Sequence, residues 1–420
     1  MRKRPGQLRR PLVASLGAVA VAAAVAAPAL GFGVKPTGPG NVTVGKKCGQ
    51  TVDVGPSNPN GAFKSMPKTL QDIYGSYPGK LLASPWAHIK IKAKPPWKIG
   101  YVAFAITNEY NQHVLQSMQA QFAIAKKQGL VKGSLITAIP ASMAQSTPEA
   151  QITAIQQMVR EGVNAIIVLP TDSVSESPAM EAAGKAGVPV VLADVPPAPG
   201  SKYQLAAWTQ NQVEADAGTL GIIKKGNIVI VRGVAGNEND VVLYNQMQAD
   251  LKNCPNIHQV ATLNGNWDNA TAKSVMTQYL ASNPQPLAGV LQDGGMFAGV
   301  VEAYEARGAK VPPVGVEQCE GGDLSWWLAH FPSYKTVGGC INGYQGGSTY
   351  MRIALRILAN KGPKWNVISM PAVTIDNTNL KKFAQPGLPL TSAAELPGGK
   401  NLWCNDTCLN QYFVAPGPAK

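Results

Sequence analysis

Histidine is scarce in this chain, and the four present (His88, His113, His258, His330) fall into no His-Glu-x-x-His or other metal-ligand spacing. A Gly-x-Ser-x-Gly elbow is missing, as is a glycine-rich phosphate loop of Walker or dinucleotide type. These absences remove the usual grounds for a metalloenzyme, a serine hydrolase or a nucleotide enzyme, so no catalytic residue, cofactor or metal is expected. Charge is sparse as well, at 15% of residues against 45% hydrophobic, which excludes a disordered chain. Acid is the scarcer sign, leaving a formal charge of +13. The excess is local: residues 1–29 hold five basic residues and no acid, residues 30–97 hold nine Lys against two Asp, and residues 98–420 carry only +1. A basic nucleic-acid-binding globule is therefore excluded, and no nucleic acid is expected as a partner.

Long apolar runs are also absent after the N-terminus. Five basic residues precede the Ala/Val/Leu run 12–27, and Ala27-Pro28-Ala29 follows as a small–x–small cleavage pattern. This predicts a secretory signal over residues 1–29, an uncleaved anchor being the alternative; the run is too short and alanine-rich for a comfortable bilayer span. The expected location is extracytoplasmic, in a periplasm or cell envelope. Outside the cytoplasm, six cysteines read first as disulfides, with 15 possible pairings. Cys404 and Cys408, three residues apart around Asn-Asp-Thr, read as a structural staple rather than a redox motif.

At 420 residues the chain exceeds one hydrophobic core, so two packed domains are expected. Residues 30–97 carry nine prolines, from Pro36 to Pro96, and no helix or strand period survives there. The reading is an extension, draped over the domains or partly disordered, whose lysines serve solubility or contact with an anionic envelope. From Lys98 the pattern changes. Apolar strand runs at 99–104, 164–169 and 188–193 alternate with helical periods, one ending at Gly129 and one opening at Thr147-Pro148. The same grammar repeats in strands at 227–231, 257–263, 287–291, 311–316 and 335–338. Such alternation means βαβ units with parallel sheets, hence an α/β fold of two doubly wound αβα lobes.

Several local motifs stand in register along this core. They are Lys98-Ile-Gly-Tyr-Val, Asn108-Glu109-Tyr110, Pro170-Thr-Asp172-Ser173, Ala186 to Asp194, Asn266-Trp267-Asp268, Gln292-Asp293 and Val314-Gly-Val-Glu317. On them, residues 98–383 resemble the type I periplasmic substrate-binding proteins of sugar ABC importers, the ribose-binding-like branch. The resemblance implies two lobes joined by three chain crossings, with a small ligand bound between them. It also implies the division of the chain: 98–207 with 342–372 as the first lobe, 208–341 with 373–383 as the second, and 384–420 as a tail. The hinges are expected near 207–208, 339–342 and 371–374.

Polar residues just after strands in such folds face the ligand crevice. The expected ligand set is Phe104, Asn108, Tyr110, Asp172, Asp194, Trp208, Asp293 and Glu317. Each carboxylate could instead cap the helix that follows it, and Trp208 could pack at the hinge. Trp267 reads as structural. The departures from the family matter: Val195 stands where an Arg is usual, residues 233–243 contain no Arg, and Phe104 and Leu169 replace polar residues. The ligand is accordingly expected to be a sugar, a polyol or an amine-like molecule rather than an anion, captured by a monomer. The partner would be the membrane permease of an ABC importer, or else a membrane receptor or kinase for which the protein is the sensing input. Cys319 and Cys340 follow consecutive parallel strands, which places them within disulfide reach.

Overall fold

The structure is a computed structural model that describes residues 45–52, 55–56, 61, 63–64, 66–71, 74, 77, 79–209, 212–341, 343–370, 372–394 and 406–414. A single-turn helix, α1 (Lys68–Gln71), precedes the core. The first lobe then runs β1 (Ile99–Ala103), α2 (Glu109–Lys127), β2 (Ile136–Ala138), α3 (Pro148–Arg160) and β3 (Ala165–Leu169). It continues through α4 (Ser173–Lys185), β4 (Val190–Ala193) and β5 (Gln204–Thr209).

The second lobe begins with α5 (Gln212–Ile223), β6 (Gly226–Arg232), α6 (Glu238–Leu251), β7 (Ile257–Asn264) and α7 (Asn269–Ser282). After these come β8 (Gly289–Gln292), α8 (Phe297–Glu305), β9 (Val316–Glu317), α9 (Gly321–Ala329) and β10 (Gly338–Cys340). The chain returns with α10 (Gly343–Leu358) and β11 (Val367–Met370), crosses again to β12 (Val373–Ile375), and ends in a tail holding α11 (Asp406–Asn410).

The first sheet has the order β11-β5-β4-β3-β1-β2 and is parallel throughout. β1, β3 and β4 are apolar and buried at every position, as strands covered by helices on both faces must be. In the second lobe β7-β6-β8 and β9-β10-β12 form two three-stranded sheets, joined by a parallel bridge between Val290 and Val314. Thr147 caps α3 through the N–H of Ala150, with Pro148 at its first position.

Several elements depart from the sequence expectation. Of the strand expected over 311–316, only Val316 enters a regular strand while Val314 makes a single bridge to Val290, because Pro312 and Pro313 offer no ladder N–H. Strand pairing expected at 335–338 begins at Gly338. The first crossing was expected at 207–208, yet β5 runs on to Thr209 and Trp208 pairs with Ser369 of β11.

The extension is packed rather than draped. Leu70, Tyr74, Tyr77, Leu81, Trp86, Ile91 and Trp97 are buried in the main core. Tyr74 donates its hydroxyl to the Val367 carbonyl at 2.7 Å, and Trp86 donates Nε1 to the Tyr203 carbonyl at 2.7 Å. A disulfide joins Cys48 to Cys254, with Cα atoms 4.6 Å apart, and so fixes residues 45–52 to the second lobe. There Gly49 lies so close to Gly221 of α5 that a Cβ on Gly221 would come within 2.7 Å of its Cα.

The tail also touches both lobes: the carbonyls of Ala394 and Ser392 accept from Gly321 and Gly322 at the start of α9, while Asp406 bridges Arg352 and Arg356 of α10. Cys408 is disulfide-bonded. The expected signal segment and Cys404 lie outside the described residues. Among the described residues, no helix is long and apolar enough to cross a membrane.

Candidate functional site

A cleft with about 440 Å³ of atom-free space, part of it open to solvent, lies where the ends of both sheets meet. The first lobe lines it with Phe104, Asn108, Tyr110, Asn111, Leu169, Asp194 and Val195. The second contributes Asn237, Asn239, Trp267, Asp293 and Gln318. Among the described residues, no lysine, arginine or histidine belongs to this lining.

Strand ends set the geometry. Asp194 follows β4 with φ 55°, Trp267 follows β7 with φ 53°, and Gln318 follows β9 with φ 70°. Left-handed backbone at three non-glycine cleft residues is costly and needs surroundings that enforce it, a pattern concentrated at functional sites. For Trp267 one enforcing feature is Gly233, where a Cβ would come within 2.2 Å of the indole. For Gln318 it is the neighbouring disulfide between Cys319 and Cys340, whose Cα atoms are 5.0 Å apart.

Tyr110 donates its hydroxyl to Asp194, and Tyr350 stands 3.4 Å from the same hydroxyl. Trp267 donates its indole N–H to Asp293. Behind the cleft lies Asp240, which accepts from Arg232 and from the Gly233 N–H at 3.1 Å. Burial first, and then Asp240, hold the Asp293 carboxyl well above the ordinary carboxylate range. Both favour its protonated form, and the Arg232 guanidinium bonds Asp240 rather than facing the ligand space. The Asp293 Oδ2 is buried with no partner among the described residues, an orphan that a ligand hydroxyl would satisfy.

The lobes meet across this cleft. Asn108 caps α2 through the Asn111 N–H and donates Nδ2 to the Trp267 carbonyl at 3.2 Å. Asn237 donates to the carbonyls of Pro170 and Thr171 at 3.2 and 3.3 Å. The rings of Phe104 and Trp267 lie 20° from parallel, centroids 6.4 Å apart. The cleft is closed.

Five of the residues expected from sequence, Phe104, Asn108, Tyr110, Asp194 and Asp293, come together here. Three do not. Asp172 caps α4, accepting from the N–H groups of Val174 and Ser175 at 2.9 Å. Trp208 is a strand residue packed edge-on against Tyr77 of the extension, centroids 5.6 Å apart. Glu317 turns into the second lobe beside Asp216 of α5, and Gln318, just past the strand end, takes the cleft side. Sequence reasoning missed Gln318, Asn111, Asn237 and Asn239, and read Trp267 as packing alone. The signal for Gln318 was its place directly after a strand-end carboxylate.

Two αβα lobes closed over a lined, water-sized to sugar-sized space define a solute-binding protein. A family model described as a periplasmic binding protein domain matches residues 99–329, and the chain belongs to that family. It is similar to the xylitol-binding protein of Mycolicibacterium smegmatis, 28% identical over 247 residues that make up 56% of this chain and 68% of that protein. An ABC transporter solute binding protein from Thermobispora bispora has the same fold, with TM-score 0.62 and 22% identity over 74% of this chain and 94% of that one. So does one from Bacillus halodurans with bound myo-inositol, with TM-score 0.58 and 18% identity over 69% and 98%. Members of this family bind solutes and do not transform them, so this chain is not an enzyme.

Proposed function

We propose that the protein is an extracytoplasmic solute-binding protein that captures a small neutral polyhydroxylated ligand and delivers it to the permease of an ABC importer. The observation that carries this is the lining: carboxyl and carboxamide groups without a cation, closed over by Phe104 and Trp267. Carboxamides both donate and accept, and carboxyl groups accept hydroxyls, so the set matches an array of alcohols rather than a phosphate or carboxylate. An anion would face the Asp194 carboxylate in a low-dielectric site. An amine finds a weaker pull than the sequence suggests, since burial and Asp240 favour the protonated form of Asp293. Xylitol, for which the Mycolicibacterium smegmatis relative is named, and the myo-inositol bound in the Bacillus halodurans structure belong to the same chemical class. The chain crossings between β5 and α5, β10 and α10, and β11 and β12 would act as the hinges.

A thermal-shift panel of xylitol, myo-inositol, ribose, gluconate and spermidine tests the reading. A neutral member should raise the melting temperature, since ligand at 100 times its dissociation constant adds about 2.7 kcal/mol. Shifts confined to gluconate, or to spermidine, would overturn it.

A further inference from the structure

At the rim of the cleft a carboxyl group of one lobe caps a helix of the other. Glu238, at the first position of α6 in the second lobe, accepts from the N–H of Ser173 at 2.9 Å and of Val174 at 3.3 Å. These are the first two amides of α4 in the first lobe. They are donors that a helix start leaves unsatisfied, and the positive end of its dipole favours an acceptor there. The bonds exist only while the lobes are together.

The position is crowded with acid. Asp172 already caps the same helix through Val174, Ser175 and the Ser175 hydroxyl, and the Val174 N–H is shared between its carboxylate at 2.9 Å and that of Glu238 at 3.3 Å. Glu176, buried one turn along α4, accepts from the amides of Thr171 at 2.9 Å and Asp172 at 3.0 Å. On the other side, Asp240 of α6 is held by Arg232 of β6, which is thereby engaged elsewhere. Gln151 of α3 reaches Thr171 with a neutral amide. None of the ion pairs among the described residues involves Asp172, Glu176 or Glu238. Two carboxylates crowded onto one amide repel each other when both are ionised, so their approach favours a proton on one of them.

We propose that Glu238 is a cross-lobe latch whose engagement of α4 takes up one proton, so that closure is favoured by acid. The proton sits on the Glu238 carboxyl, beside the Asp172 carboxylate, while the Glu238 oxygens accept the two helix amides. On opening, Glu238 returns to water and releases it. The titration directions agree: burial, then Asp172, raise Glu238, whereas hydrogen bonds from Ser175 and Val174 outweigh burial and lower Asp172. This inference rests on the reading that the lobes open and close around a ligand.

Small-angle scattering of the ligand-free protein at pH 5.5 and pH 8.5 tests the latch without needing a ligand. The wild type should be more compact at pH 5.5. Glu238→Gln keeps an acceptor oxygen for the α4 amides and removes the charge, so it should stay compact at both values. Glu238→Ala should be expanded at both, and its circular dichroism shows whether it folds. Titration with xylitol adds a second readout: uptake of one proton means an affinity falling up to tenfold per pH unit in the wild type, and flat in Glu238→Gln. A wild-type radius of gyration independent of pH, or a Glu238→Gln protein with the wild-type pH slope, overturns the latch. Failure of xylitol to bind while the scattering behaves as expected would count against the ligand class and leave the latch standing.

Discussion

Asp216 and Glu317 are neighbours inside the second lobe, both buried, and none of their carboxyl oxygens has a hydrogen-bond partner among the described residues. Burial and the partner carboxyl raise Glu317, and burial pushes Asp216 up to about 8. Burial likewise takes Glu176 to about 8 and Asp250, which binds the Val52 amide, to about 7. Each such acid holds a proton in the folded state that the unfolded chain gives up near pH 4. Their stabilising contribution is therefore complete below about pH 4 and is lost as pH rises toward 8. Asp406, lowered by Arg352 and Arg356, works the other way and is lost in strong acid. The melting temperature should accordingly be a few degrees higher at pH 5.5 than at pH 8.5, and Asp216→Asn should flatten that difference. A melting temperature that climbs toward pH 8.5 would contradict the assignment. Sequence put Glu317 at the right strand end, but whether the inward or outward neighbour meets the cleft depends on the register of a two-residue strand, which no periodicity reveals.

Among the elements, those with strong apolar periods were legible. β1, β3 and β4 are continuous apolar runs, and α2 and α3 carry their own stop and start residues. β2, a half-exposed three-residue edge, and β5, built on Gln-Leu-Ala-Ala-Trp-Thr, carry too little β-branched apolar character to stand out. The extension was hidden for a different reason. Its contacts are single aromatic anchors into distant residues, as with Tyr74 on Val367 and Trp86 on Tyr203, and long-range pairing leaves no local period. The same holds for Cys48 and Cys254, 206 residues apart, which no spacing rule could match among 15 pairings. That bond closes a very long loop, so replacing both cysteines by serine should cost about 2–5 kcal/mol. Non-reducing urea denaturation measures it, and an unchanged midpoint would show that the extension does not depend on this anchor.

For the molecule as a whole, the α/β fold and its mostly parallel strands follow from alternation, with β12 running antiparallel to β10; the crossings were expected from a resemblance, and β5 runs past the first of them. The charge of the cleft did not follow, because it depends on Arg232 reaching Asp240 and Asp240 reaching Asp293, a chain of contacts between β6, α6 and the end of β8. That chain turns an acidic-looking site into one suited to neutral hydroxyls. The most direct test is a crystal structure of the protein with the polyol that raises its melting temperature most. The account predicts the ligand in the closed cleft beside Phe104 and Trp267, with hydroxyls bonded to Asp194 and to the free oxygen of Asp293. A ligand bound outside the cleft, or one whose hydroxyls leave both carboxyl groups untouched, would contradict it.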